Sequence, residues 1–443
     1  MTTHFLSGDA DAEAMLAALG MKTTEELFAD IPAEVRTKLN LPRGRSELEV
    51  LREMRRILAK NEPFEQRPHF LGAGSYPHHV PAAINPLILR GEYYTSYTPY
   101  QPEILQGMLQ ACFEYQTYVT RLTEMEVANI SMYDGATALA EAAMMAVRAN
   151  RGKKILLPRN LFWEKKSVVR NYLKGLNVQI EEFGYDARTG EADLADLEAR
   201  LTPDTAAVLL QNPNFFGVWE SRATEVRAML DRKAPKAFFV VDVGDPFSLA
   251  LARGPGAYGA DIAVGEGHPL GNSVAFGGPY LGLFATKWEH VRKMPGRIVG
   301  ETVDEEGQRA YCLTFSTREQ HIRRDKATSN ICSNEALNAL AFSIHLALLG
   351  ERGFRDVAET CAARANALRQ RIGKTPFSGQ HFHEFVVKHD RPVADVEAKL
   401  RAAGLRGGLD VSRQFPELGN ASLWCVTELH PQDALDKAAE VLA

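Results

Sequence analysis

The sequence predicts an α/β protein, a mostly parallel sheet covered by helices on both faces, followed by a smaller α+β domain. Three observations carry this expectation. Short continuous apolar runs ("KKILLP", "AAVLLQ", "AFFVVDV", "ADIAVG") alternate with helical stretches, and strands apolar on both faces belong to parallel sheets sandwiched between helices. "GATALAEAAMMAVRAN" is apolar almost all round, as a helix running through a core must be. At 443 residues the chain exceeds the usual size of one hydrophobic core, so two or three subdomains are expected.

Residues 1–64 read as a helical arm. Within it, "SELEVLREMRRILAKN" opens with a capping box, Ser46 to Glu49, and spaces Leu48, Leu51, Met54 and Leu58 along one helical face. From residue 65 the texture changes to loops rich in Gly, Pro and Tyr, and two helices follow. The first, "EILQGMLQACFEYQTYVTRLTEM", carries a stripe through Leu105, Met108, Leu109, Cys112, Phe113 and Gln116; the second starts at Gly135. Strands and helices then alternate as "KKILLP", a helix from Asn160, "NVQIEEF", "DLADLEARL", "AAVLLQ", a helix near residue 220 and "AFFVVDV", with right-handed crossovers between parallel strands. After "YLGLFATK" the stretch "GRIVGETVDEEGQ" reads as loop, and a helix is expected from about Asn334 to Gly350. The end of the chain, with "HEFVVKH", "DVEAKLRAAG" and "SLWCVTEL", reads as strand, helix and strand. The expected division is therefore 1–64, 65–345 and 346–443.

Composition removes several function classes. Hydrophobic residues at 45% and charged residues at 24% fit a globular protein, and no stretch is long and apolar enough for a membrane span. A net charge of -5 without a long basic run gives no footprint for nucleic acid. The start, "MTTHFLSGDADAEAM", lacks the pattern of a leader, so the cytoplasm is expected. Cys112, Cys312, Cys332, Cys361 and Cys425 are scattered without a Cys-x-x-Cys pair, which predicts reduced thiols, and the dispersed His78, His79, His268 and His321 predict no metal.

Four constellations are candidates for chemistry. In "YDGATALAE", Asp134 can cap a helix whose first residues Gly135, Ala136 and Thr137 present N–H groups to a phosphate; an ordinary capped helix shows the same pattern. "AFFVVDVGD" places Asp242 at the carboxyl end of a buried strand, where a carboxylate can hold a pyridinium nitrogen protonated, with Asp245 just beyond. "FLGAGSYPHHVP" and "YYTSYTPYQPEILQG" form stiff loops with Ser75, Tyr76, Tyr94, Tyr97, Tyr100, Gln101 and Glu103, suited to a binding site or a buried interface. "REQHIRRDKATSNIC" gathers Arg323, Arg324, Lys326, Ser329 and Asn330 as possible anion contacts, although a solvated charged loop reads the same way.

One residue decides between functional descriptions. "ADIAVGEGHPLG" is a strand running into a tight turn at His268-Pro269, a place where pyridoxal-phosphate enzymes put the lysine that forms the internal Schiff base. Proline offers no nucleophile and no backbone donor. Lys287 and Lys326 are then the candidates for a displaced anchor in a self-sufficient enzyme of aminotransferase or desulfurase type.

Taken together, "GAGSYPHHVP", "YTSYTPYQPEILQG", "SMYDGATALAEA", "GADIAVGEGHPLG", "FGGPYLG" and "TREQHIRRDKATSNIC" resemble the P-protein of the glycine cleavage system, in the form of the first chain where the enzyme is split in two. The resemblance implies the type I fold of pyridoxal-phosphate-dependent transferases, a large domain with a mostly parallel seven-stranded sheet plus a small C-terminal domain. It also implies decarboxylation of glycine and transfer of the aminomethyl group to the lipoyl arm of the H-protein. In that family two homologous halves take part, and the second carries the lysine. By this resemblance the chain has no Schiff-base residue, Pro269 standing in its place; Asp134, Gly135, Ala136, Thr137, Asp242 and His268 are vestiges of a cofactor site, and the cofactor belongs to a partner subunit in a two-fold α2β2 assembly. A non-catalytic scaffold is the remaining alternative.

Overall fold

The computed structural model describes residues 8–37, 40–96, 98–331 and 334–442. They fall into two compact units, Met1–Glu62 and Pro63–Ala443. In the first unit α1 spans Asp9–Ala18 and α2 spans Glu47–Leu58. The capping box of α2 forms as its sequence predicts: Glu49 N–H donates to Ser46 Oγ at 3.3 Å, and Ser46 N–H donates to Glu49 Oε2 at 2.9 Å. Leu48, Leu51, Met54 and Leu58 are exposed.

The second unit is built on a seven-stranded sheet. Its strands are β1 (Val127–Ala128), β2 (Lys154–Pro158), β3 (Gln179–Phe183), β4 (Thr205–Gln211), β5 (Phe238–Asp242), β6 (Ile262–Glu266) and β7 (Gly282–Thr286), in the order β1-β7-β6-β5-β4-β2-β3. From β6 through β3 all neighbours are parallel, whereas β7 runs antiparallel to both β6 and β1. β4, β5, β6 and β7 are buried at every position, which is why they read as unbroken apolar runs. The antiparallel last strand fixes which edge is which: Glu266 pairs with Gly282, and Ile262 with Thr286. The carboxyl ends of the parallel strands, with Asp242 and Glu266, therefore lie at one edge. Lys287, just past β7, lies at the other.

Short helices α3 (Ile84–Ile88) and α4 (Gly91–Tyr94) interrupt the Tyr- and Pro-rich loops, and α5 (Gln106–Thr123) follows. Met108, Leu109, Cys112 and Gln116 of its expected stripe are buried. α6 spans Gly135–Asn150 and packs across β4, β5, β6 and β7 with nine buried residues. Its burial explains the absence of a polar face. α7 (Trp163–Leu173), α8 (Leu194–Arg200) and α9 (Ala223–Lys233) complete the crossovers.

The stretch expected to be loop is instead an antiparallel hairpin, β8 (Ile298–Val303) with β9 (Arg309–Thr314). From Glu301 to Val303 β8 is exposed on both faces, so no alternation marks it, and Gly307 at φ 79° supplies the turn. After a short α10 (Gln320–Arg323), α11 runs from Ala336 to Ile372, well past the end expected at Gly350. Gly350 is non-helical there (φ 59°, ψ -176°), so the glycine marks a kink rather than a stop, and the expected border at 345/346 falls inside this element.

The smaller sheet pairs β10 (Glu384–Lys388) with β12 (Ala421–Cys425) and β12 with β11 (Leu409–Asp410), all antiparallel, beside α12 (Val393–Ala402) and α13 (Gln432–Leu442). Trp424, fully buried, centres its core with Phe70, Phe385 and Leu400. The loop after β4 closes on β10 at Gly217, whose φ of 78° suits glycine and whose Cβ, if present, would collide with the Glu384 carbonyl oxygen.

Candidate active site at the strand ends

The carboxyl edge of the large sheet brings together most of the residues singled out from sequence. Asp134 caps α6: its Oδ1 accepts from Thr137 N–H at 2.7 Å, and Thr137 Oγ1 accepts from Asp134 N–H at 3.2 Å. Gly135 N–H points at this edge, and a Cβ on Gly135 would sit a tight 3.0 Å from Glu266 N, so the close approach of α6 to β6 favours glycine. The acceptor of that N–H is already in the chain. Glu266 Oε2 takes it at 2.9 Å, while Glu266 Oε1 accepts from His268 N–H and Leu281 N–H, each at 3.0 Å.

Asp242, fully buried at the end of β5, is likewise engaged. Its Oδ2 lies 2.5 Å from Lys165 Nζ, a buried side chain reaching in from α7, and its Oδ1 accepts from Gly244 N–H at 3.2 Å. His268, also fully buried, stacks on the Tyr280 ring at 4.3 Å between centroids, and its Nε2 lies 3.2 Å from the Tyr76 backbone. Pro269 follows it, buried.

Of the loop residues, Ser75 and Tyr76 belong to this edge. Ser75 Oγ is 2.6 Å from Tyr280 OH, and Tyr76 OH donates to Glu384 Oε2 at 2.9 Å. Burial pushes the Glu384 carboxyl up and the Tyr76 phenol well up. Tyr94, Gln101 and Glu103 are exposed. Tyr100 is half-exposed and fixed from below: the buried Arg297 guanidinium lies 4.6 Å over its ring, Arg297 Nη2 donates to its hydroxyl at 2.6 Å, and Arg297 Nε donates to Glu319 at 2.8 Å. Tyr97 lies outside the described residues. Arg323, Arg324, Lys326 and Asn330 are exposed, with Arg323 Nε donating to Thr317 O at 3.1 Å; Ser329 is buried and its Oγ accepts from Ile331 N–H at 3.2 Å. Lys287 pairs with Asp261 at the opposite edge of the sheet, and Lys326 is exposed.

Sequence reasoning passed over a buried ionic cluster. His78 Nε2 lies 2.9 Å and His383 Nε2 2.7 Å from the same Asp245 oxygen, while His78 Nδ1 lies 2.8 Å from Glu428 Oε2, which also accepts from Cys361 Sγ at 3.3 Å. Burial alone would push the His78 imidazole down, but Asp245 and then Glu428 overrule it and hold it up at about 10. The same contacts bring Glu428 down to about 2 and Asp245 well below the carboxylate range, against burial that raises both. His78, Asp245 and His383 form one group of close donor atoms, His78, Cys361 and Glu428 a second, and here they engage one another as hydrogen-bonded pairs. His78 and Asp245 are 167 positions apart, and Cys361, His383 and Glu428 come from still other parts of the chain, so no local signal joins them.

A seven-stranded sheet with its candidate site at the carboxyl strand ends, against the start of a core helix, defines the type I fold of pyridoxal-phosphate enzymes. That class includes a Burkholderia pseudomallei sphingosine-1-phosphate lyase, with a TM-score of 0.66 at 14% identity over 93% of this chain and 92% of that one. The particular assignment is closer. The family model of the glycine cleavage system P-protein matches residues 2–442, and the chain belongs to that family. It is 48% identical to the probable glycine dehydrogenase (decarboxylating) subunit 1 of Desulfitobacterium hafniense, over 96% of both chains, and 44% identical to the protein so named from Pyrococcus abyssi, over 100% of this chain and 99% of that one. A crystal structure of glycine decarboxylase (P-protein) in inhibitor-bound form covers 100% of this chain and 99% of its own, with a TM-score of 0.90 and 38% identity. The name subunit 1 implies a second subunit.

The glycine decarboxylase family depends on pyridoxal phosphate, and the residues at this chain's strand edge do not fit that group. Position 269 has no amine, Lys165 engages Asp242, and Glu266 takes the N–H that would meet a phosphate.

Proposed function

We propose that this chain is the subunit of a two-chain glycine decarboxylase that does not anchor the cofactor. Pyridoxal phosphate, in this reading, is bound by a homologous second subunit in an α2β2 assembly. The complex decarboxylates glycine and passes the aminomethyl group to the lipoyl arm of the H-protein, in the cytoplasm. The observation that carries the proposal is Pro269 at the end of β6, in a pocket whose remaining cofactor contacts are already engaged by side chains of the same chain. Ser75, Tyr94, Tyr97, Tyr100, Gln101 and Glu103 are proposed to face the partner's site, because Tyr94, Tyr100, Gln101 and Glu103 are exposed aromatic and polar tips on proline-stiffened loops, which suit recognition at low entropic cost.

The test compares release of labelled carbon dioxide from glycine, with lipoylated H-protein present, by this chain alone, by the second subunit alone and by both. Turnover requiring both supports the proposal. Turnover by this chain alone contradicts it, and full turnover by the second subunit alone would make this chain a scaffold. Among the described residues no helix is long and apolar enough to cross a membrane.

A further inference from the structure

We infer that Lys165 and Glu266 stand in for the two charged ends of a pyridoxal-phosphate-type ligand, and that they close this chain's own pocket to it in unanchored as well as anchored form. The inference rests on the reading that the cofactor belongs to the partner, and it goes further: the absent lysine is one of three features that exclude the ligand, and the other two act without reference to covalent chemistry.

At the ring end, a pyridinium nitrogen and a lysine ammonium offer Asp242 the same thing, a cationic N–H donor. Lys165 and Asp242 are 6% and 0% exposed in their side chains, so neither can turn to water for a partner. A ring that took Asp242 would strand the ammonium, and an uncompensated buried charge is strongly unfavourable. At the phosphate end the reasoning is the mirror image. Gly135 N–H, at the positive end of α6, donates to a carboxylate instead of waiting for an anion. Glu266 cannot swing aside freely, because three backbone N–H groups from different parts of the chain hold its two oxygens. A phosphate brought to Gly135 would sit against that negative charge in a buried setting, where repulsion is poorly screened. Each internal ion matches in sign the end of the ligand it replaces, and each satisfies the group it covers. Both groups are thereby engaged in contacts that hold the fold together.

Pyridoxamine 5′-phosphate is the probe that separates closure from loss of the anchor, since it carries the pyridinium and the phosphate but needs no lysine. Titrated calorimetrically into the full-length chain, it should give no binding up to millimolar concentration. A double variant, Lys165→Ala with Glu266→Ala, should bind it at least tenfold more tightly than the wild type, with the fold confirmed by circular dichroism. If the double variant does not fold, the single variants carry the test: methylammonium should raise the melting temperature of Lys165→Ala, inorganic phosphate that of Glu266→Ala, and neither should act on the wild type. Micromolar binding by the wild type, a folded double variant that takes no probe, or single variants blind to both ions would overturn the inference while leaving the division of labour between subunits intact. A borohydride-stable adduct of pyridoxal phosphate on the wild-type chain would instead sink that division.

Discussion

Replacing Asp245 by Asn should remove the charge that organises the His78 cluster. In the native fold one Asp245 oxygen serves both His78 and His383, and all three side chains are buried. Breaking a buried pair by neutralising one member costs about 3–5 kcal/mol. Independently, an imidazole raised from an ordinary 6.5 to about 10 carries roughly 4 kcal/mol of folding free energy at pH 7, from about 1.4 kcal/mol for each of the three units between pH 7 and 10. Against burial, which lowers the value, Asp245 supplies the larger part of that rise and Glu428 the rest. The two routes agree. For a unit of ~380 residues the unfolding entropy is roughly 0.8 kcal/mol/K, so 4 kcal/mol corresponds to a melting temperature lower by about 5 °C. The pH dependence has a definite sign. A folded-state value raised above the unfolded one gives stability that is complete below about pH 6.5 and is lost as pH rises through about 10. Chemical denaturation of both proteins between pH 6 and pH 10 should show the wild-type advantage narrowing with rising pH. A difference under about 1 kcal/mol at pH 7, or one that widens towards pH 10, would refute the assignment of charge to His78.

Further outcomes follow from single contacts. Gly217→Ala combines a left-handed backbone position with a collision against the Glu384 carbonyl, and should cost at least ~3 kcal/mol or abolish soluble expression, read by thermal unfolding. Pro269→Lys alone, incubated with pyridoxal phosphate and then freed of unbound cofactor by gel filtration, should emerge colourless, because Lys165 and Glu266 still occupy the pocket; a variant that stays yellow would show that the anchor was the sole obstacle. Tyr94→Ala and Glu103→Gln change exposed side chains, so each should shift stability by less than about 0.5 kcal/mol while lowering turnover of the two-chain complex; unchanged turnover would remove these loops from the site.

The large sheet was legible because its strands are buried on both faces: "AAVLLQ" and "AFFVVDV" are continuous apolar runs bounded by polar turns, and they correspond to β4 and β5. The α6 helix was legible for the same reason, its cap at Asp134 included. The hairpin of β8 and β9 was not, since its outer half faces solvent on both sides and carries no period. Local chemistry marked Asp134 and Gly135 as a helix start and Asp242 as a strand end, because caps and strand ends are properties of a few adjacent residues, while only the family resemblance set them in one site with His268. What fills that edge is a tertiary fact. Lys165 arrives from a helix 77 positions from Asp242, and Glu266 reaches back 131 positions to Gly135, with nothing in "WEKKSVV" or "AVGEGH" to announce either contact. Tyr94 and Glu103 were singled out by the composition of their loops, and both are exposed.

The most direct measurement is borohydride reduction of the active two-chain complex with pyridoxal phosphate, followed by peptide mapping. The account predicts one labelled lysine, on the second subunit, and none on this chain. Stoichiometric label on Lys165, Lys287 or Lys326 would contradict it.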